Sequence, residues 1–238
     1  MATFVLVHGA WSGAHGFRHV RRTLQAEGHE VFTPSLTGIG ERSHLLGPHV
    51  DLTTHVRDVV NQVVYEDLTD IVLVGFSYGG CVVTGSLEHI AERVSHLVYL
   101  DAFVPRDGES LASLAGMPPA GSGSGEDWLV PPLPRSYDDE AEAEFMTTRR
   151  AAHPVACFTE AVRLARPLEE YPFERTYIRA TADAPGAPSA VAFDAAAAYA
   201  RRSPAWHYRE IATGHMVASN RPRELTEILV GCARSPGL

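Results

Sequence analysis

Short apolar runs alternate with longer amphipathic segments through the first hundred residues of the chain. The runs are continuously apolar, which is typical of strands that are covered on both faces, and the longer segments carry apolar residues at helical spacing. Such an alternation predicts right-handed crossovers and a parallel sheet. The pattern places strands at residues 3–7, 30–33, 71–74 and 94–100, and helices at residues 17–27, 53–66 and 78–90.

The alternation stops at Pro105 and resumes after Glu174. The intervening stretch is irregular and carries only two short helical patterns, near residues 138–150 and 154–165. We expect residues 105–174 to form a lid inserted into a core built from residues 1–104 and 175–238. The resumed pattern predicts strands at 175–181 and 205–211 and helices at 189–201 and 222–232. The fold class is therefore α/β, with a mostly parallel six-stranded sheet and helices on both faces.

The segment 75–80 reads Gly-Phe-Ser-Tyr-Gly-Gly and lies between the third predicted strand and a helix. A G-x-S-x-G pattern at a strand-to-helix turn lifts the serine hydroxyl clear of the sheet. The glycines let the strand and the helix approach each other, and the helix N-terminus favours negative charge. We predict Ser77 as a nucleophile.

A serine hydroxyl needs a base within hydrogen-bond reach, usually a histidine that a carboxylate holds in place. Where the serine stands at such a turn, the acid and then the histidine follow it along the chain, in loops after late strands. His215 lies between the last predicted strand and the last helix, and we predict it as the base. Asp183 follows the penultimate strand and is our predicted acid, with Asp101, after the fourth strand, as the alternative.

The loop after the first predicted strand reads His-Gly-Ala-Trp at residues 8–11. Enzymes with this kind of nucleophile take one oxyanion-hole N–H from such a loop and the other from the residue after the serine. We therefore predict the backbone N–H groups of Ala10 and Tyr78 as oxyanion donors. His8 is expected to brace the loop rather than to carry protons.

Five segments, at residues 4–11, 28–31, 37–45, 75–80 and 214–216, together resemble the hydroxynitrile lyase and methylesterase branch of the α/β-hydrolase superfamily. The likeness is strongest to the bacterial arylesterase-like members of that branch. It implies an α/β-hydrolase fold, a substrate pocket beneath a lid, and a mechanism without cofactor or metal. Lyase members carry a lysine after the catalytic histidine, whereas this chain has Met216 there and no lysine anywhere. Members commonly have histidine before the nucleophile, where this chain has Phe76.

Apolar and aromatic side chains near the predicted catalytic atoms and in the insertion indicate a hydrophobic pocket. Our candidates for substrate binding are Trp11, Trp128, Leu129, Phe158 and Met216, although packing of the lid on the core explains the insertion residues equally well. These features predict a serine esterase for a small or medium hydrophobic carboxylic ester. The same residues leave open a lactone or carbon–carbon bond hydrolase or lyase, and a ligand-binding relative without activity.

The formal net charge of −9 disfavours nucleic acid and anionic membranes as partners. The N-terminus lacks the basic segment of a signal peptide, and no apolar run is long enough for a membrane span, so we expect a cytoplasmic protein. The odd, widely spaced set of Cys81, Cys157 and Cys232 matches neither a disulfide framework nor a zinc site. A dinucleotide site is disfavoured because residues 38–40 lack the third glycine of its fingerprint. The sequence is compatible with a monomer or a homodimer.

Overall fold

The apolar runs predicted as strands form one six-stranded sheet in which every pairing is parallel. The computed structural model describes residues 1–117, 128–182 and 188–234 of the chain. The strands are β1 (Thr3–Val7), β2 (Glu30–Phe32), β3 (Ile71–Phe76), β4 (Val94–Leu100), β5 (Leu129–Val130), β6 (His153–Pro154), β7 (Glu174–Ala180) and β8 (His207–Ile211). The large sheet has the order β2-β1-β3-β4-β7-β8, and β5 and β6 form a separate antiparallel pair.

Helices cover both faces of the large sheet, so the predicted α/β class is confirmed. α1 and α9 pack together on one face, whereas α2 and α3 pack together on the other, which α7 also covers. The helices are α1 (Arg18–Ala26), α2 (Leu52–Tyr65), α3 (Gly79–Ile90), α4 (Leu111–Leu114), α5 (Glu140–Thr147), α6 (Ala156–Thr159), α7 (Pro188–Arg202), α8 (Val217–Asn220) and α9 (Pro222–Arg234).

Strand β1 shows why the central runs are apolar at every position. Phe4 and Leu6 point into the core beneath α1 and α9, while Val5 and Val7 point into the core beneath α2 and α3. All four side chains are fully buried. Since alternate residues of a strand face opposite sides, both sets must be apolar when both sides are covered. Each such burial stabilises the fold by about 1.5–3 kcal/mol.

The parallel arrangement brings the carboxyl ends of the strands to one edge of the sheet. Ser77 follows β3, Asp101 follows β4, and His215 lies in the loop after β8. These residues therefore meet at the same edge, although more than a hundred positions separate the first from the last.

The described residues between β4 and β7, 101–117 and 128–173, lie outside the large sheet and include α4, α5, α6 and the β5–β6 pair. An ion pair between Glu142 of α5 and Arg18 of α1 joins this insertion to the core. The helix predicted over residues 154–165 was too long, because α6 ends at Thr159. Glu160 is extended, and its carboxylate accepts hydrogen bonds from the backbone N–H and hydroxyl of Thr53, at the start of α2, at 2.9 and 2.5 Å.

Gly75 is required by the close approach of β3 to α3. A Cβ at this position would lie 2.7 Å from the carbonyl oxygen of Gly79. The contact is with backbone, so we expect Gly75→Ala to lower the free energy of unfolding by about 3 kcal/mol in urea denaturation. Gly231→Ala is the matched control, because a Cβ there, within α9, would meet no atom within 4 Å. It should raise stability by about 0.5–1 kcal/mol, and equal stabilities of the two variants would contradict this account.

Candidate active site

Ser77 stands on a sharp turn between β3 and α3. Its φ angle is +54°, in the left-handed region that residues with a side chain rarely adopt. Two backbone hydrogen bonds hold the turn: the Ser77 N–H donates to the carbonyl of Leu100, and the Phe103 N–H donates to the carbonyl of Ser77, both at 3.2 Å. The side chain is buried, with 6% of its surface exposed. The predicted strand–turn–helix setting of this serine is present.

His215 joins the serine to a carboxylate. Its Nε2 atom lies 3.1 Å from Ser77 Oγ, and its Nδ1 atom lies 2.7 Å from Asp101 Oδ2. The imidazole is held between the rings of Phe76 and Phe193, with ring centroids 4.7 and 5.3 Å away. An imidazole fixed in this way can accept the serine proton, and the carboxylate can stabilise the imidazolium that results.

The carboxylate beside His215 belongs to Asp101, the alternative that the sequence left open. The sequence pattern favours Asp183 as the acid beside His215. Asp183 lies outside the residues that the structure describes. Asp101 comes directly after β4 and has a φ angle of +42°, which turns its side chain towards the loop after β8. Because Asp101 contacts Nδ1 directly, it fills the place that we had given to Asp183.

Asp101 is fully buried but carries three stabilising contacts. Besides His215, its carboxylate accepts hydrogen bonds from the backbone N–H of Ala180, at 3.1 Å, and from the guanidinium of Arg179. Burial acts to raise the pKa of Asp101, but the hydrogen bond from His215 and the charges of His215 and Arg179 outweigh it. The pKa therefore lies below its ordinary value, and the group is ionised at neutral pH. Sequence reasoning missed Arg179, whose only signal was a charge within the strand predicted at residues 175–181.

The loop after β1 passes directly against the serine. A Cβ on Gly9 would lie 2.9 Å from Ser77 Cβ, and the next residue, Ala10, lines the same cleft as Ser77. Tyr78 is the residue from which α3 begins, and its hydroxyl donates to Nδ1 of His55 at 2.9 Å. The structure thus brings both predicted oxyanion donors, Ala10 and Tyr78, next to Ser77, and their role in catalysis stays a prediction.

Two buried histidines brace this loop. Nδ1 of His8 donates to the carbonyl of Gly9 at 2.8 Å, and its Nε2 accepts from the N–H of Leu36 at 3.1 Å. Burial lowers the pKa of His8 to about 4, so the ring is neutral at physiological pH. In addition, Nδ1 of His153 accepts from the N–H of Trp11 at 3.3 Å. The contacts of His8 agree with the bracing function that we expected.

His55, His153 and Cys157 place one donor atom each within 4.8 Å of one another, which is the kind of grouping that can hold a metal ion. However, both ring nitrogens of His55 already have protein partners at 2.9 Å. Because His153 Nδ1 accepts from Trp11, its proton is on Nε2, and that nitrogen has no lone pair to offer. These hydrogen bonds give the two histidines a structural role, in which His153 holds the loop after β1 through Trp11. The predicted lack of a metal requirement stays a prediction.

The predicted substrate-binding residues divide into two sets. Trp11 and Met216 line the cleft that opens at Ser77. Phe158 is buried against the Trp11 ring, 5.6 Å between centroids, and so packs the insertion on the core. Trp128 and Leu129 are half-buried and do not border the cleft within the described part of the chain. The insertion instead contributes four cleft residues that the sequence pattern did not reveal, namely Arg135, Tyr137, Met146 and Arg150.

Residues 4–228 match the model of the alpha/beta hydrolase family, so the chain belongs to that family. Over 152 residues it is 44% identical to the carbendazim hydrolyzing esterase of Nocardioides sp. (strain SG-4G), covering 64% of this chain and 55% of that protein. It is 34% identical over 113 residues to methylesterase 1 of Arabidopsis thaliana, covering 43% and 40%. The chain thus spans about half the length of the curated relatives that it matches.

Solved structures share the whole fold. An extracellular α/β-hydrolase from a Paenibacillus species superimposes with a TM-score of 0.76 and 23% identity, covering 99% of this chain and 100% of that one. At this level of identity the likeness establishes the fold alone. In the described ranges of our chain, each helix is too short or too polar to span a bilayer.

The Arg179–Asp101 pair can be tested by removing the cation. Arg179→Met leaves a buried carboxylate with less compensation, so we expect the free energy of unfolding in urea to fall by about 3 kcal/mol at neutral pH. The lowered pKa of Asp101 gives the wild type stability that is fully present above the ordinary carboxyl pKa of about 4. This stability is lost as the pH falls through the folded-state pKa, so the difference between the proteins should shrink in acid.

Arg209→Met is the matched control, because Arg209 is exposed on the neighbouring strand β8. We expect its stability to stay within about 0.5 kcal/mol of the wild type. An Arg179→Met protein as stable as this control at neutral pH would show that the buried pair contributes nothing.

Proposed function

We propose that this protein is a serine esterase that cleaves a small or medium hydrophobic carboxylic ester through an acyl-enzyme. The observation that carries the proposal is the continuous line of hydrogen bonds from Ser77 through His215 to Asp101, at 3.1 and 2.7 Å, at a cleft. The carbendazim hydrolyzing esterase and the methylesterase among the relatives support an ester substrate.

In the first half of the reaction, His215 Nε2 takes the proton of Ser77 Oγ as the oxygen attacks the ester carbonyl. Asp101 fixes the proton of the imidazole on Nδ1, which leaves Nε2 free to act as the base, and it stabilises the imidazolium that forms. The N–H groups of Ala10 and Tyr78 donate to the oxyanion of the tetrahedral intermediate. Removing one such donor typically costs about 3 kcal/mol of transition-state stabilisation.

In the second half, His215 returns its proton to the departing alcohol oxygen, which leaves the acyl group on Ser77. The same imidazole then deprotonates a water molecule that attacks the acyl carbonyl. His215 gives this proton to Ser77 Oγ as the acyl–oxygen bond breaks, so the carboxylic acid is released and the free enzyme is restored. These steps use groups of this chain and one water molecule, and the absence of a cofactor, which the resemblance implies, stays a prediction.

Residues 105–174 are proposed to act as a lid over this cleft, on a core made of residues 1–104 and 175–238. Met146 and Arg150 of the insertion border the cleft together with Trp11 and Met216 of the core, which supports the assignment. We further propose a cytoplasmic location, supported by three buried cysteines that carry free thiols. Association into a homodimer stays a prediction.

A lactone or carbon–carbon bond hydrolase would use the same three residues, and a ligand-binding relative would keep the cleft without turnover. One relative is an alpha-hydroxynitrile lyase of Arabidopsis thaliana, at 29% identity over 108 residues. A panel of esters, lactones, β-diketones and cyanohydrins separates these activities. Fast turnover of a lactone or diketone with no ester cleavage would replace the esterase proposal.

The nucleophile is tested with Ser77→Ala and a chromogenic acetate ester. Removing the hydroxyl removes the group placed to form the acyl-enzyme, so turnover should fall by a factor of about 10⁴ or more. A fluorophosphonate probe should label the wild type but not the variant. Undiminished hydrolysis by Ser77→Ala would contradict the esterase proposal. If the probe does not label the wild type and a small molecule binds tightly, the protein is a ligand-binding relative.

The acid is tested by comparing Asp101→Asn with Asp183→Asn. An amide at position 101 would favour the wrong tautomer of His215 while keeping a similar shape, so kcat should fall by about 10⁴-fold. Asp183→Asn should keep kcat within about threefold of the wild type. The opposite ranking would return the acid to Asp183.

A further inference from the structure

The insertion contributes part of the lining of the cleft. This part carries polar groups that the mechanism does not use. Tyr137 and Arg150 are both half-buried, and both line the same cleft as Ser77 and His215. The Tyr137 hydroxyl oxygen is buried and has no hydrogen-bond partner among the described residues. A buried hydroxyl without a partner costs about 1–3 kcal/mol, so a ligand that accepts its hydrogen bond would recover that energy.

Arg150 presents a positive charge that no carboxylate among the described residues pairs with. Its guanidinium donates to the carbonyl oxygen of Leu133 and lies 5.9 Å from the ring of Trp11. Within the described ranges, no carboxylate lies within ion-pair distance of it. A guanidinium has five N–H donors, and only one of them is engaged in these contacts.

The charge of Arg150 and the planar shape of its guanidinium together indicate the kind of ligand that it would bind. A half-buried cation without a counter-ion favours an anion, and the planar fork of arginine matches the two oxygens of a carboxylate. The hydroxyl of Tyr137 adds a donor from the same wall. Apolar side chains of Trp11, Met146 and Met216 also line the cleft.

We propose that Arg150 and Tyr137 form a carboxylate subsite, and that the preferred substrates are half-esters of dicarboxylic acids. In such a substrate the ester carbonyl lies at Ser77, the hydrocarbon chain lies along the apolar wall, and the free carboxylate binds Arg150. This inference rests on the proposed esterase function, because it names the class of ester that the same cleft selects.

The test compares two chromogenic esters of equal chain length, 4-nitrophenyl hydrogen adipate and 4-nitrophenyl hexanoate. The measured quantity is the ratio of their kcat/KM values, charged over neutral, which removes any general loss of activity. Because a hydrogen bond to a charged group is worth at least tenfold in binding, Arg150→Gln should lower this ratio about tenfold. Tyr137→Phe should lower it about threefold, and Arg150→Lys should retain part of the preference because it keeps the charge.

Arg149→Gln is the matched control. Arg149 is the neighbouring residue, but it is exposed and stacks on the ring of Phe145, with 3.8 Å between the guanidinium carbon and the ring centroid. Its removal should leave the ratio unchanged. A ratio in Arg150→Gln equal to that of the wild type and the control would overturn the carboxylate subsite.

The two proposals fail in different ways. Hydrolysis of the hexanoate ester by the wild type, and its loss in Ser77→Ala, decides the esterase function alone. If the wild type hydrolyses neither ester, calorimetric binding of monomethyl adipate to Ser77→Ala still decides the subsite. Binding that weakens about tenfold when Arg150→Gln is added supports it, whereas equal binding or none contradicts it.

Discussion

One buried negative charge connects the ends of three strands at the candidate active site, β4, β7 and β8. The carboxylate of Asp101 follows β4, contacts the backbone and Arg179 at the end of β7, and holds His215 in the loop after β8. Without partners, a buried carboxylate would take up a proton or move to the solvent, because burial strongly disfavours the ionised form. Its hydrogen bonds and the neighbouring cation reverse that preference. The geometry of the imidazole, and through it the reactivity of Ser77, depends on this compensation.

Much of this arrangement could be predicted from the sequence because its signals are local. Strands buried on both faces are apolar at every position, and the glycines around Ser77 report a tight turn. The acid could not be predicted in the same way. Asp101 and Asp183 each follow a parallel strand, so both satisfy the local rule. Only the three-dimensional contact of Asp101 with Nδ1 of His215 distinguishes them.

The insertion was predictable only in outline, because only two short stretches of it follow a helical period. Arg149 and Arg150 illustrate the difficulty. They are adjacent and chemically identical, yet one stacks on Phe145 at the surface and the other borders the cleft. Phe158 was predicted to bind substrate but packs the insertion on the core. Whether Arg149 or Arg150 borders the cleft depends on how the insertion packs against the core. No short stretch of sequence contains that information.

The loop after β1 is held by neutral side chains, whereas His215 is held by the charged carboxylate of Asp101. His8 and His153 each use a ring-nitrogen lone pair to accept a backbone N–H, from Leu36 and from Trp11. A protonated imidazole has no lone pair, so these contacts exist only while both rings are neutral. Burial secures this state by lowering the pKa of His8 to about 4 and that of His153 well below its ordinary value. The site therefore combines a charge kept ionised behind the base with imidazoles kept neutral behind the predicted oxyanion donors, and burial contributes to both.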